Sequence, residues 1–246
     1  MKKTSTVFPS QITRLASLIA LSITLFSCSN ESSPTPAAES EAPAFVSIFN
    51  GENLDGWTID AIESDLTTEV FSIENGELIL DTPGTEDYMW LTYNQPLTDF
   101  ALRLKFIAYE DAVGNCGVQF RDAYVDNVYP RHGFDLASNV PQSTGFIWDF
   151  QEHWLPFAME GYKSENFEPY LPDGWEYKWS TDEDPWNDFE MRVVGSRVTT
   201  HLNGKQIIDW DGGDKILPSG SIAIEVHKKQ VFKFRFKDIE LANLSS

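Results

Sequence analysis

The residues best suited to chemistry lie in a short polar strand near the middle of the chain. Residues 114–121 read Gly-Asn-Cys-Gly-Val-Gln-Phe-Arg, which begins as a turn and continues with strict alternation. Alternation places Val118 and Phe120 on one face of the strand, and Gln119 and Arg121 on the other. An arginine on such an open face can hold a carboxylate, a sugar hydroxyl or a developing oxyanion. The alternative is a solvated strand face without a function.

Other strands repeat this pattern of apolar inner faces and small or polar outer faces. The alternation turns Asp135 outward in one segment, Glu225 and His227 in another, and His201 in a third. If these strands share one sheet with residues 114–121, its outer surface is a shallow polar cleft. The predicted site comprises the catalytic candidates Arg121, Asp135, Glu225 and His227, with Gln119 and His201 as substrate contacts.

A long aromatic segment, residues 139–184, separates two of these strands. It is too long and irregular for a simple connection, and loops of this kind usually serve binding. We interpret it as a wall or lid over the cleft, with Trp148 and Trp154 as substrate contacts. The alternative is a surface excursion with its own small aromatic cluster.

The N-terminus has the features of a lipoprotein signal. Basic residues precede a short apolar run, Leu15–Phe26, which is too short to span a bilayer, and Leu-Phe-Ser-Cys at its end is similar to a bacterial lipobox. This predicts a signal over residues 1–28 with lipidation at Cys28. The Ser-, Glu-, Pro- and Ala-rich residues 29–44 predict a flexible tether, and residues 45–246 a single domain. The protein is therefore expected to be lipid-anchored in the outer membrane, on its periplasmic or surface side; the alternative is an ordinary secretory signal.

The charge of the chain excludes some partners. Its formal charge is −20, and loss of the only charged signal residues, Lys2, Lys3 and Arg14, takes it to −23. Such a protein repels nucleic acid and anionic polymers, so a neutral ligand is favoured.

Cys116 is the only cysteine in the domain, which rules out an internal disulfide; we interpret it as a small buried residue. The oligomeric state is left open.

The pattern of the domain predicts an all-β fold. Short alternating strands are separated by turn residues, and long helical periodicity is absent from the sequence. Asn75-Gly76 and Asn203-Gly204 predict tight hairpins. The strands at residues 102–106 and 232–236 combine apolar inner with basic outer faces, so they are expected to share a sheet. We predict an antiparallel two-sheet jelly-roll sandwich.

Six segments in order along the domain resemble the DUF1080 family, now named the 3-keto-disaccharide hydrolase domain, which is related to concanavalin A-like and LamG-like sandwiches. The segments are residues 45–57, 71–78, 114–121, 186–204, 220–227 and 234–239. The chain departs from the family pattern at Cys116, where Ser is usual, at Asp135, where Glu is common, and at Glu225, where Gln is common. The last two changes fall on the predicted site.

The resemblance implies cleavage of glycosides whose C3 hydroxyl has been oxidised to a ketone. A base removes the acidified C2 proton, the enolate expels the glycosidic oxygen from C1, and water adds later. Asp135 or His227 is the candidate base, and Glu225 or His227 the candidate acid. Arg121 is the candidate donor to the enolate oxygen.

Other chemistries match the sequence less well. It lacks the Glu-x-Asp-x-x-Glu run of retaining glucanases on this kind of sandwich, a His-Glu-x-x-His zinc motif and a Gly-x-Ser-x-Gly elbow. Residues 209–214 superficially resemble a calcium loop but lack its spacing and terminal Glu, so we interpret them as a solvated acidic turn. No cofactor is expected.

Two functions from other classes stay open. A carbohydrate-binding module needs aromatic platforms but no convergent Arg, Asp and His, and a fold alone does not decide between binding and catalysis. An adhesive or structural surface lipoprotein is the third alternative, although the sequence has neither repeats nor a ligand motif in its favour.

Overall fold

Two β-sheets pack face to face around an apolar core. A computed structural model describes residues 44–109, 114–122, 132–137, 147–149, 179–180 and 186–245. Residues 1–43, which include Cys28 and all of the predicted signal and tether except residue 44, lie outside this range. No helix within it is long and apolar enough to cross a membrane.

Fifteen strands are present in the described ranges. In chain order they are β1 (Val46–Ser47), β2 (Trp57–Asp60), β3 (Phe71–Glu74), β4 (Glu77–Thr82), β5 (Met89–Tyr93), β6 (Phe100–Tyr109), β7 (Cys116–Asp122), β8 (His132–Ala137), β9 (Ile147–Asp149), β10 (Trp179–Ser180), β11 (Asn187–Val194), β12 (Arg197–Leu202), β13 (Lys205–Asp211), β14 (Ser221–Val226) and β15 (Phe232–Asn243). Short 3₁₀ turns occur at Asp65–Thr67 and Gly213–Lys215.

The strands form a nine-stranded and a six-stranded sheet. The first has the order β13-β12-β11-β6-β15-β4-β3, with β1 added beside β15 and β10 beside β6. The second has the order β2-β5-β14-β7-β8-β9. All pairs are antiparallel except β10 with β6. The predicted all-β sandwich is confirmed.

Alternation in β6 and β15 builds the centre of the nine-stranded sheet. These two strands are neighbours, with Phe236 opposite Phe106, as their shared pattern predicts. Phe234 lies between β6 and β4 and stacks on both Phe106 and Phe236, with ring centroids 6.2 and 5.8 Å apart. Cys116 is fully buried in the same core, in agreement with its interpretation as a small buried residue.

Both predicted Asn-Gly hairpins are confirmed. Asn75 and Gly76 have φ of 53° and 82°, and Asn203 and Gly204 have φ of 51° and 75°. Two successive positive φ values define the type I′ turn, whose twist matches that of the flanking strands.

One predicted grouping of strands is wrong. The strand that carries His201, β12, lies in the nine-stranded sheet and not beside β7, β8 and β14. It is held there by its hairpin partner β11, which in turn pairs with β6. Alternation identifies the inner face of a strand, but it does not tell which of the two sheets contains the strand.

Candidate functional site

The outer face of the six-stranded sheet brings several predicted residues together. Val118 of β7 and Ile224 of β14 point into the core, so the residues next to them face the other way. Ala223 lies opposite Gln119, and Glu225 opposite Trp90 of β5. Glu225 and Gln119 therefore lie on adjacent strands and on one face, as the sequence predicts.

A buried hydrogen bond joins these two side chains. Nε2 of Gln119 donates to Oε2 of Glu225 over 2.5 Å, and only 1% and 3% of the two residues is exposed. Burial raises the pKa of Glu225 to about 8, and the bond from Gln119 opposes this rise only in part. Glu225 is thus a carboxylic acid that holds its proton at neutral pH.

The amide of Gln119 lies directly against β8. A Cβ atom added to Gly133, the residue opposite Gln119, would be 2.3–2.5 Å from the amide atoms of Gln119. Only a glycine leaves space for this arrangement. Oε1 of Gln119 is buried and has no hydrogen-bond partner among the described residues. It is therefore a free acceptor beside a protonated acid.

His227, just after β14, forms the second polar pair of this face. Its Nδ1 is 3.0 Å from the carbonyl oxygen of Lys228, and its Nε2 is 3.0 Å from the hydroxyl of Tyr88. A carbonyl oxygen only accepts, so Nδ1 carries the proton, and Nε2 accepts from Tyr88. Burial lowers the pKa of His227, and the charge of Lys228 acts in the same direction, against the bond to the carbonyl. The imidazole is a neutral base with a defined tautomer.

Tyr88 is a site residue that the sequence prediction missed. Its ring meets the imidazole of His227 edge-on, with centroids 4.7 Å apart, and stacks with the indole of Trp90 at 5.8 Å. The Tyr-x-Trp-x-Thr alternation of residues 88–92 was the available signal, since it sets polar and aromatic groups against the core residues Met89 and Leu91.

A buried carboxylate holds the segment that leads to Tyr88. The two oxygens of Asp65 accept from the backbone N–H groups of Glu86 and Asp87, over 2.9 and 2.8 Å. Lys228 adds an ion pair to Asp87 at 3.2 Å. These contacts fix the chain just before Tyr88 relative to the residue just after His227.

Arg121 requires a correction, because its side chain does not lie on the outer face. It has a φ of 48° and occupies a register irregularity, in which Phe120 pairs with Ile222 but Asp122 with Ser221. Such a bulge rotates the side chain away from strict alternation. The guanidinium, 2% exposed, instead bonds the carboxylate of Asp99 at 2.7 Å.

The remaining donors of Arg121 are used by backbone carbonyls. It donates to the carbonyls of Thr98, Leu217 and Val193 over 2.6, 3.3 and 3.5 Å, and also to that of Gly195. Val193 belongs to β11, so the guanidinium connects the two sheets. It acts as a clamp within the fold and is not available to a ligand.

The other predicted residues are only partly placed. Asp135 lies opposite Gly117, and Trp148 opposite Gly133, in the backbone register; the side chains of Asp135 and Trp148 are not among the described features. Trp154 lies outside the described residues. His201 lies on the nine-stranded sheet opposite Glu190, so its prediction as part of the same cleft is wrong.

Two of the three carboxylates in the acidic turn at residues 209–214 are already engaged. Arg197 binds both oxygens of Asp209 over 2.6 and 2.7 Å, and Asp211 accepts from Ser196 over 2.5 Å. In the part of the chain that the structure describes, no three His, Cys, Asp or Glu side chains are grouped as metal ligands.

Comparison with known proteins places the chain in a family. The sequence model of the 3-keto-alpha-glucoside-1,2-lyase-like domain matches residues 44–242, and no curated protein matches the chain. Two structures of candidate glycosyl hydrolases from Parabacteroides distasonis, 14% and 17% identical, have a TM-score of 0.54; the alignments cover 82% of this chain and 94% and 100% of theirs. A structure from a study of endo-acting O-glycanases of the human gut microbiota is 11% identical, with a TM-score of 0.52 and coverage of 83% and 100%. These likenesses show a shared sandwich fold. The chain belongs to the 3-keto-alpha-glucoside-1,2-lyase-like domain family.

Proposed function

We propose that this carbohydrate-active protein cleaves 3-keto-glycosides by elimination followed by hydration. A base takes the proton from C2, and the electrons of the C–H bond form an enolate with the C3 ketone. The enolate then expels the glycosidic oxygen from C1, which leaves with a proton as the aglycone alcohol. Water finally adds its hydroxyl to C1 and its proton to C2. Family membership and the buried acid Glu225 support this proposal.

Glu225 is assigned the role of acid. A leaving alkoxide needs a proton as the C1–O bond breaks, and a carboxyl group with a pKa of about 8 still holds one at neutral pH. The bond from Gln119 fixes the orientation of this carboxyl group. Glu225 therefore holds a proton on a carboxyl group whose orientation is fixed.

His227 is assigned the role of base, acting with Tyr88. The phenol oxygen takes the C2 proton as its own hydroxyl proton moves to Nε2 of His227, which leaves a neutral phenol and an imidazolium. The 3.0 Å hydrogen bond that the Tyr88 hydroxyl donates to Nε2 of His227 already lies along the path of this transfer. Asp135, at its register position beside Gly117, stays as the alternative base.

Gln119 is assigned to substrate recognition. Its Oε1, which has no partner within the described part of the chain, is an acceptor; an acceptor suits a sugar hydroxyl and does not suit the negatively charged enolate oxygen. Arg121 has no part in this proposal, because its donors are used within the fold.

The cellular setting is also a proposal. The lipobox at Cys28 and the polar tether of residues 29–44 support a domain anchored to the outer membrane by lipid. Metabolic labelling with a palmitate analogue, compared between the native chain and Cys28→Ser, tests the anchor.

The activity is tested by incubating the full chain with a 3-keto-glucoside and with the same glucoside before oxidation. We expect aglycone release from the ketone alone, because only the ketone acidifies C2. Binding of either sugar without release would favour the carbohydrate-binding module. Release from both sugars at similar rates would reject elimination through an enolate.

A further inference from the structure

A second basin lies on the outer face of the nine-stranded sheet. It has a volume of about 490 Å³, within the range of small-molecule sites, and charged or polar side chains from the four strands β6, β11, β12 and β15 line it. Its central members form one row across the sheet, His201, Glu190, Arg103 and Glu240, as successive partners in the register. We propose that this basin binds a neutral saccharide without cleaving it.

Arg103 is the oriented donor of the basin. Its Nε donates to Oε2 of Glu190 over 2.9 Å, and its guanidinium carbon lies 3.7 Å from the ring centroid of Phe45. The ion pair and the ring together fix the plane of the guanidinium. Its two terminal nitrogens have no hydrogen-bond partner among the described residues. The side chain is 47% exposed, so a ligand can reach these nitrogens. Two parallel donors are thus presented in a fixed geometry.

An acceptor lies beside this donor on the neighbouring strand. Glu240, opposite Arg103 in the register, has no ion pair within the described ranges. On the other side, beyond Glu190, Nδ1 of His201 is buried without a hydrogen-bond partner among the described residues. A vicinal diol is both donor and acceptor at neighbouring oxygens. It can accept from Arg103 and donate to Glu240 at the same time.

The charge of the basin selects against anions. Four carboxylates, but only two cationic side chains, line it; they are Asp188, Glu190, Asp238 and Glu240 against Arg103 and Lys105. Lys105 already pairs with Asp188 at 3.9 Å and Asp238 at 3.4 Å. An acidic polymer would meet net repulsion, whereas a neutral polyol would meet donors and acceptors alone.

This basin is separate from the site of the proposed reaction. Glu225 and His227 lie on the outer face of the six-stranded sheet. Arg103 and His201 lie on the outer face of the nine-stranded sheet, and the apolar core separates the two faces. Stacked sheets are about 10 Å apart, so a single sugar ring cannot reach both faces. The inference therefore does not depend on the proposed function.

The test is a calorimetric titration of the full chain with maltotriose, a neutral glucose trisaccharide without a ketone. We expect saturable binding that Arg103→Gln weakens about tenfold, the factor that 1.4 kcal/mol represents. The matched control is Arg192→Gln, because Arg192 also donates to Glu190, over 2.8 Å, but does not line the basin. This control and Glu225→Gln should both bind as the native chain does, and Arg103→Gln should keep any turnover of 3-keto-glucosides.

Three results would overturn the inference. The first is no saturable binding of maltotriose. The second is binding that Glu225→Gln abolishes and Arg103→Gln leaves intact, which would move the ligand to the other sheet. The third is an equal loss in both arginine variants, which would trace the effect to the charge around Glu190.

Discussion

Gln119 and Glu225, 106 residues apart in the chain, form one buried hydrogen bond of 2.5 Å across adjacent strands. Burial there keeps Glu225 protonated, and Oε1 of Gln119 has no hydrogen-bond partner among the residues that the structure describes. An ordinary surface carboxylate would be ionised at neutral pH and would repel an alkoxide. The pair thus supplies a proton where an exposed strand face would supply a negative charge.

The acid role of Glu225 predicts a dependence on the leaving group. Glu225→Gln should lower turnover of an alkyl 3-keto-glucoside by about 10²–10⁴. It should have a much smaller effect on the 4-nitrophenyl compound, because nitrophenolate leaves without a proton. Initial rates of aglycone release on both substrates are the measurement, with the exposed Glu74→Gln as control. Equal losses on both substrates would remove the acid role from Glu225.

Glu225 also predicts how stability changes with pH. Its pKa is raised from 4.5 to about 8 in the folded chain, so the folded state binds the extra proton. The stabilisation from that proton is fully present below about pH 4.5 and is lost as the pH rises through about 8, on the order of a few kcal/mol. Glu225→Gln should therefore gain stability relative to the native chain between pH 5 and 9. The measurement is the free energy of unfolding from chemical denaturation across this range. The difference between Glu74→Gln and the native chain should stay constant with pH. The same constant difference for Glu225→Gln would show that the carboxyl group is solvated.

The effect on stability of a substitution at Gly133 is expected to depend on the side chain of Gln119. In Gly133→Ala the new methyl group would displace the amide, break the bond to Glu225 and cost about 1–3 kcal/mol of folding free energy. In a Gln119→Ala background the same substitution should cost almost nothing, because the clashing atoms are gone. A double-mutant cycle measures this difference. Additive effects of the two substitutions would contradict the contact.

Arg121 is expected to control stability. Arg121→Ala leaves Asp99 and several backbone carbonyls without their buried donor, which should cost about 3–5 kcal/mol. Arg197→Ala is the matched control, since its pair with Asp209 is exposed to solvent and should contribute far less to stability. Denaturant midpoints compare the two. A native-like midpoint for Arg121→Ala would argue against a clamp between the sheets.

Local patterns predicted much of this molecule. Alternation identified β6 and β15 as strands of one sheet, the Asn-Gly pairs located two hairpins, and the outer faces of β7 and β14 gave Gln119 and Glu225. The alternation within each strand and the geometry of each turn depend on residues within a few positions of one another, so the sequence contains this information directly. The pairing of β6 with β15 joins distant segments and was predicted only from the likeness of their two patterns.

The errors concern features that only the folded chain defines. Arg121 departs from alternation because a bulge with positive φ rotates it, and nothing in residues 114–121 marks a bulge. His201 was predicted in the wrong sheet because strands of both sheets show the same alternation of apolar and polar residues. Tyr88 was missed because its importance comes from a contact with His227, which is 139 residues away.

The position of the last strand has a consequence for how the chain folds. β15 lies between β6 and β4 in the middle of the nine-stranded sheet, although it ends at Asn243. During synthesis, β4 and β6 therefore emerge well before the segment that joins them, and their facing edges stay unpaired until residues 232–243 have been made. A chain truncated just before Phe232 would lack this central strand, so both halves of the nine-stranded sheet should lose their pairing at once.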